Sequence, residues 1–257
     1  MSILMLEEIT KVYEGKVANL AINQLSFEVE KGEFLAVMGP SGSGKTTLLN
    51  LISTIDRPTS GDMMINGLDP LQLKSNDLSL FRRRQLGFVF QDFNLLPALT
   101  VEENMVLPLT LDGQPVRVMT EKVNRIAQQL DLTSILEKRP FEISGGQAQR
   151  TAIGRALIHE PSIILADEPT GNLDSKATRD VLELLSKVNK RSNTTIIMVT
   201  HDPIAASYCD RVLFIKDGEY FNEVYKDDRR QTFFQRILNV LSLLGGNVND
   251  LSTIRLS

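Results

Sequence analysis

Nine consecutive residues, Gly39-Pro40-Ser41-Gly42-Ser43-Gly44-Lys45-Thr46-Thr47, restrict the fold of this chain more than any other stretch. They satisfy the pattern G-x-x-x-x-G-K-[ST] in full, preceded by a continuous apolar run over 33–38 and followed by helical spacing over 46–55. A buried strand that empties through glycines into a helix start forms an anion cradle. The glycines let successive backbone N–H groups turn inward, and the helix end adds about half a positive charge at the same point. In this pattern Lys45 reaches the β- and γ-phosphates of a nucleoside triphosphate, and Thr46 offers its hydroxyl to Mg²⁺. The loop specifies a ligand class and leaves the reaction open.

The remaining chain supplies a sheet to carry the loop. Strands are expected over 3–9 and over 25–30, where period-two alternation is clear, and over 63–66 and 86–90 on either side of a short helix. The Arg-Pro-Thr-Ser-Gly cluster at 57–61 stops the helix after the loop. Between about 91 and 160 strand signals give way to helical windows over 101–107, 121–130 and 147–158. Past Pro161 the alternation resumes: strand 163–166, helix 177–189, strand 195–199 and strand 211–215. Strand–helix–strand alternation implies a parallel α/β sheet with right-handed crossovers, interrupted by an inserted helical subdomain.

Two features turn the cradle toward chemistry. The apolar strand 163–166 ends on Asp167-Glu168, and two carboxylates at a buried strand end repel, so an ordinary sheet would place at most one there. Alone the pair also reads as a helix start, and the phosphate loop upstream favours chemistry. Asp167 would hold the Mg²⁺ shell through water. Glu168, turned the other way by strand alternation, would polarise an attacking water. The second feature, Ser144-Gly145-Gly146-Gln147, places a capping serine and two glycines at another helix start. This is either an ordinary Ser-capped helix or a second phosphate-ready site. If two copies meet head to tail, each such helix end closes on the γ-phosphate held by the other.

Together, the loop, Ser144-Gly145-Gly146-Gln147 and Leu165-Ala166-Asp167-Glu168-Pro169-Thr170 resemble the nucleotide-binding domains of ABC transporters, with matching order and spacing over about 3–218. The resemblance implies an α/β P-loop NTPase: a RecA-like parallel core with an N-terminal antiparallel β-subdomain, plus the inserted helical subdomain. Its divisions would be 1–90 with 161–220 for the ATP-binding core, 91–160 for the helical part, and 221–257 for a C-terminal helical extension. ATP and Mg²⁺ are the implied cofactors. Tyr13 would stack on adenine, Gln91 would sense Mg²⁺ and link to a permease, Asp174 would cross a dimer interface, and His201 would contact the γ-phosphate. Lys45, Glu168 and His201 form the expected catalytic group. Two departures stand out: Ile143 in place of leucine before the signature, and Gly171-Asn172 in place of Ser-Ala before Leu173-Asp174.

Within that family, the segments 87–96, 195–209 and 230–234 are most similar to exporters conferring resistance to bacitracin, nisin and related peptides. The first two are shared in part with lipoprotein-releasing and macrolide-type transporters. The implied partners are a second copy across two ATP, an integral-membrane permease, and a sensor kinase reached through that permease. The tail itself reads as an amphipathic helix, with Phe233, Phe234, Ile237, Leu238, Leu241 and Leu244 at three- and four-residue steps and Gly245 as its cap. Packing on its own domain or on its twin is the expected role.

Composition excludes several other classes. A net charge of -4, with Arg82-Arg83-Arg84 the main basic cluster and read as a solvated helix face, argues against nucleic acid as a partner. The single cysteine, Cys209, excludes an internal disulfide and reads as a buried inert thiol. His159 reads as a surface or helix-capping residue. With no leader and no apolar stretch of about eighteen residues, the expected location is the cytoplasm, at the inner membrane face through the permease.

Overall fold

The computed structural model describes residues 1–15 and 18–245. Two sheets organise them. Strands β1 (Ser2–Tyr13), β2 (Asn19–Glu30) and β4 (Ser60–Ile65) form an antiparallel sheet in the order β2-β1-β4. The second sheet has six strands in the order β5-β6-β7-β3-β8-β9: β5 (Leu86–Val89), β6 (Ile163–Asp167), β7 (Thr195–Val199), β3 (Phe34–Met38), β8 (Arg211–Lys216) and β9 (Glu219–Tyr225). Its first five strands run parallel, and β9 is antiparallel to β8.

The apolar runs of the parallel strands arise because both faces of that sheet are covered. Alternate residues of β3 enter different cores: Leu35 and Val37 face one, while Phe34, Ala36 and Met38 face the other. The strands β6, β7 and β8 divide in the same way. One core lies toward the antiparallel sheet and helix α1 (Lys45–Ile52) and takes in Phe81; the other gathers the helices of the 101–157 span and those that follow it. Among the described residues, the span 91–160 contains helices and turns only: α3 (Val101–Leu111), α4 (Val116–Gln129) and α5 (Gly145–Leu157). A reciprocal cap between Thr100 and Glu103 starts α3.

Several expectations need adjustment. Helix α1 stops at Ile52, before the 57–61 cluster, because Thr54 adopts a left-handed backbone (φ 58°) and turns the chain. Strand β9 crosses the expected boundary at 220. Helix α2 (Ser75–Gln85) does not present its three arginines merely to water. Arg82 donates to Thr54 O at 2.8 Å, Arg83 donates to Leu111 O at 2.8 Å, and Arg84 grips Asp112 at 3.1 and 3.3 Å. Arg83 and Arg84 thereby tie the core to the end of α3. His159 is half-buried, with Nε2 3.1 Å from Leu86 O, and burial lowers its pKa. Cys209 is buried, and burial raises its thiol well above the ordinary range.

The tail forms α8 (Arg230–Leu243), ended by Gly245 in the left-handed region (φ 82°). It packs on its own domain through Phe233, Ile237, Val240 and Leu244; Val240 was missing from the expected stripe. Gly246 and the remainder of the expected extension lie outside the described residues.

Candidate functional site

The loop between β3 and α1 has the backbone its glycines allow. Gly42 and Gly44 lie at φ 81° and 96°, where a side chain is disfavoured. Gly39 is required for another reason: a Cβ there would stand 2.2 Å from Ile215 O on neighbouring β8. Lys45 Nζ arches over the loop and donates to Gly39 O and Pro40 O, both at 2.8 Å. Burial lowers the lysine pKa, while Glu168 and Asp167 push it back up. Ser43 Oγ is buried without a protein partner beneath the loop. Pro40, Ser41 and Thr46 are exposed and Thr47 is half-buried, so the outer rim of the cradle faces solvent.

The acidic pair arrives from β6, separated from β3 by β7, with Asp167 opposite Val199 at the last rung. Glu168 then leaves the strand in a left-handed conformation (φ 44°). A backbone reversal rather than strand alternation therefore separates it from Asp167. Its amide donates to Val199 O at 2.9 Å. Its Oε1 accepts from the His201 backbone N–H at 3.0 Å and lies 2.8 Å from His201 Nδ1. The His201 side chain is 76% exposed, open to a ligand from the solvent side.

Burial raises the pKa of Asp167, Glu168 raises it further, and Lys45 opposes both. Folded Asp167 thus holds its proton more tightly than the unfolded chain does, so between the two pKa values stability falls as pH rises. We expect Asp167→Asn to melt higher than the native chain in nucleotide-free solution at pH 7, because the amide carries no charge to desolvate. The gap should narrow as pH drops through the raised pKa. Calorimetry showing no gain at pH 7 would refute the strain at this carboxylate.

The other expected residues occupy two further places. Ser144 caps α5: its Oγ accepts from Gln147 N at 3.3 Å, and Gln147 Oε1 accepts from Ser144 N at 2.9 Å. Gly145 and Gly146, at the first turn, present N–H groups that the helix cannot satisfy itself. Gly145 faces Leu173, Phe93 and Asn172, and Gly146 faces Ala177. Asp174 caps α6 (Ser175–Ser192), accepting from Lys176 N and Ala177 N at 2.9 Å each. Gln91 lies against Asn172 and Gly171. Tyr13 stands apart at the exposed end of β1, donating to Asp56 Oδ2 at 2.9 Å, with Lys11 Nζ 4.8 Å from its ring centre.

Sequence reasoning missed two staples. Gln149, fully buried on α5, donates to Pro169 O and Phe90 O; Arg155 donates to Phe93 O at 2.8 Å and to Asn94 O. Their signal was polarity on a helix face that periodicity assigns to the interior.

Cradle, lysine and acidic strand end converge where a triphosphate and an attacking water can be held together, the arrangement of a P-loop nucleoside triphosphatase. Residues 22–171 match the ABC transporter family model, and the chain belongs to that family as an ATP-binding, ATP-hydrolysing subunit. It is 62% identical over 255 residues to the ABC transporter ATP-binding protein YxdL of Bacillus subtilis, covering 99% of both chains. It is 49% identical over 252 residues to the bacitracin export ATP-binding protein BceA of Halalkalibacterium halodurans, covering 97% of this chain and 100% of that one. Among solved structures it is similar to the dimeric, post-hydrolysis ATP-binding cassette MJ0796 of Methanocaldococcus jannaschii bound to ADP and Pi. That match has a TM-score of 0.79 and 38% identity, over 88% of this chain and all of that one. No helix among the described residues is long and apolar enough to cross a membrane.

Proposed function

We propose that two copies of this chain clamp two ATP between them and energise an integral-membrane permease that confers resistance to bacitracin- and lantibiotic-type peptides. The supporting observation is the extent of the match to the bacitracin export relative, whose 252 aligned residues of 257 leave no room to omit the tail bearing α8. The chain would sit at the cytoplasmic membrane face through the permease, with a sensor kinase as a further partner on the same permease. Residues 1–90 and 161–220, with the rest of strand β9, act as the ATP-binding core, 91–160 as the helical coupling part, and the chain beyond β9 as the extension.

The donor set fits Mg²⁺. A hydroxyl at Thr46 and a carboxylate at Asp167, raised by burial and by Glu168, suit a hard cation completed by phosphate oxygens and water. The metal would neutralise phosphate charge as it develops. In this reading the loop 39–47 binds the phosphates, Thr46 and Gln91 face the metal, and Asp167 reaches it through water. Glu168 accepts a proton from the water attacking the γ-phosphorus as the bond to the leaving diphosphate oxygen breaks. His201, seated on Glu168, contacts the γ-phosphate. Tyr13 stacks on adenine, while Ser144, Gly145, Gly146 and Gln147 of one copy close on the nucleotide held by the other, with Asp174 crossing between them.

A second surface supports a permease. An apolar cleft of about 450 Å³ opens between α2, β5 and α3, floored by the stacked pair Phe88 and Phe90 and by Leu107, Pro108 and Leu111. Arg82, Arg83 and Arg155 line it as well, and Gln91 is the second residue past the end of β5. A short amphipathic helix from a membrane partner suits this shape and polarity.

The test is to purify the tagged chain from membranes of its own host and identify what accompanies it. A large permease with a bulky extracellular domain is expected, and Leu111→Glu should release it while the isolated chain still binds ATP. A substrate-binding protein in the complex would overturn the peptide-resistance reading.

A further inference from the structure

The two residues that depart from the usual pattern, Gly171 and Asn172, build a cradle around Gln91. Asn172 Oδ1 accepts from Gln91 Nε2 at 3.3 Å, and Asn172 Nδ2 donates to Gln91 O at 3.3 Å and to Asp92 Oδ1 at 2.7 Å. Gly171 completes the seat, because a Cβ there would fall 2.9 Å from Gln91 Cδ and 3.0 Å from Nε2. The side-chain amide is therefore held, through Nε2, by the 170s loop across 81 residues of sequence.

That loop is anchored at both ends to the chemistry. Gly171 N donates to Glu168 O at 3.0 Å, and Leu173 N donates to Thr170 O just before Asp174 caps α6. The signature joins the same node: Gly145 packs toward Leu173, Phe93 and Asn172 O, and Gln149 reaches both Phe90 O and Pro169 O. Any pull on Asp174 from a second subunit is thus delivered to Asn172 before it reaches Gln91.

We propose that Asn172 is a positioning residue that, with Gly171, latches Gln91 onto its own chain's 170s loop and releases it toward the metal when the second subunit draws that loop away. The latch keeps metal engagement weak in the lone subunit and couples it to pairing. It rests on the assignment of Gln91 to the metal side of the nucleotide. The bond takes Gln91 Nε2 and leaves Oε1 free, so the latch acts by holding the side chain against Gly171 and Asn172 and not by consuming its metal-binding oxygen. Exposed bonds of this kind give a modest bias, about three- to fivefold for the loss of one net hydrogen bond.

The test uses the isolated full-length chain, at concentrations where it stays monomeric, and an ATP analogue with a non-hydrolysable β,γ-bridge. Calorimetry gives the analogue Kd with excess Mg²⁺ and with EDTA, and their ratio is the metal-dependent gain in affinity. Asn172→Ala, which removes the bonds, and Gly171→Ala, which crowds the seat, should each raise this gain about three- to fivefold. Both should melt within a few degrees of the native chain. In a Gln91→Ala background, where the gain should be small, neither substitution should change it further. An unchanged or reduced gain in both single variants, with Gln91→Ala still lowering it, would overturn the latch alone. A gain insensitive to Gln91→Ala would instead remove the metal-side assignment on which the latch rests.

Discussion

Glu168→Gln is expected to lower kcat for ATP hydrolysis by about 10²- to 10⁴-fold, the usual contribution of a positioned general base. An amide has the same shape and still accepts a hydrogen bond, so the contact from the His201 backbone N–H is retained. The left-handed turn at Glu168 depends on backbone geometry and not on the acid function. Losing one of two crowded carboxylates also relieves Asp167, whose pKa Glu168 raises. Binding should therefore persist while turnover stops, and the ATP-bound pair should accumulate and elute as a dimer on size exclusion. Steady-state hydrolysis within tenfold of the native rate would eliminate the base assignment.

Lys45→Ala should be the most damaging change to nucleotide binding, weakening ATP by about 10²- to 10³-fold. The ammonium now bonds two loop carbonyls at 2.8 Å, and those donors are the ones a β- or γ-phosphate would take over. Charge-assisted hydrogen bonds of this kind are worth about 1.5–3 kcal/mol each, which sets the magnitude. Lys45 also opposes the raised pKa of Asp167, so its removal leaves that carboxylate more strained. Titration calorimetry with ATP and ADP checks this, and native affinity for both would show that the lysine does not reach phosphate.

The sequence was most readable where structure is local. Thr195–Val199 announces itself because both its faces are covered, leaving an unbroken apolar run. The phosphate loop is contiguous and its backbone demands are met by its own glycines. Strand β9 was missed because it pairs only with β8, leaving Tyr220, Phe221 and Tyr225 exposed, so its pattern resembles surface coil. The left-handed turn of Glu168 and its contact with His201, 33 residues away, have no local signal. Gln91 and Asn172 were each noticed through family resemblance, yet only the fold shows them holding one another. The resemblance supplied roles, and the geometry supplied the wiring between them.

The strand order also bears on how the protein is made. Strand β3, which leads into the phosphate loop, has as its ladder partners β7 and β8, the latter ending at Lys216. A chain emerging from the ribosome thus carries its complete nucleotide motif long before either neighbour exists to seat it. Such distant pairings form late and slowly. A nascent chain therefore displays the motif before the strands that flank β3 have been made.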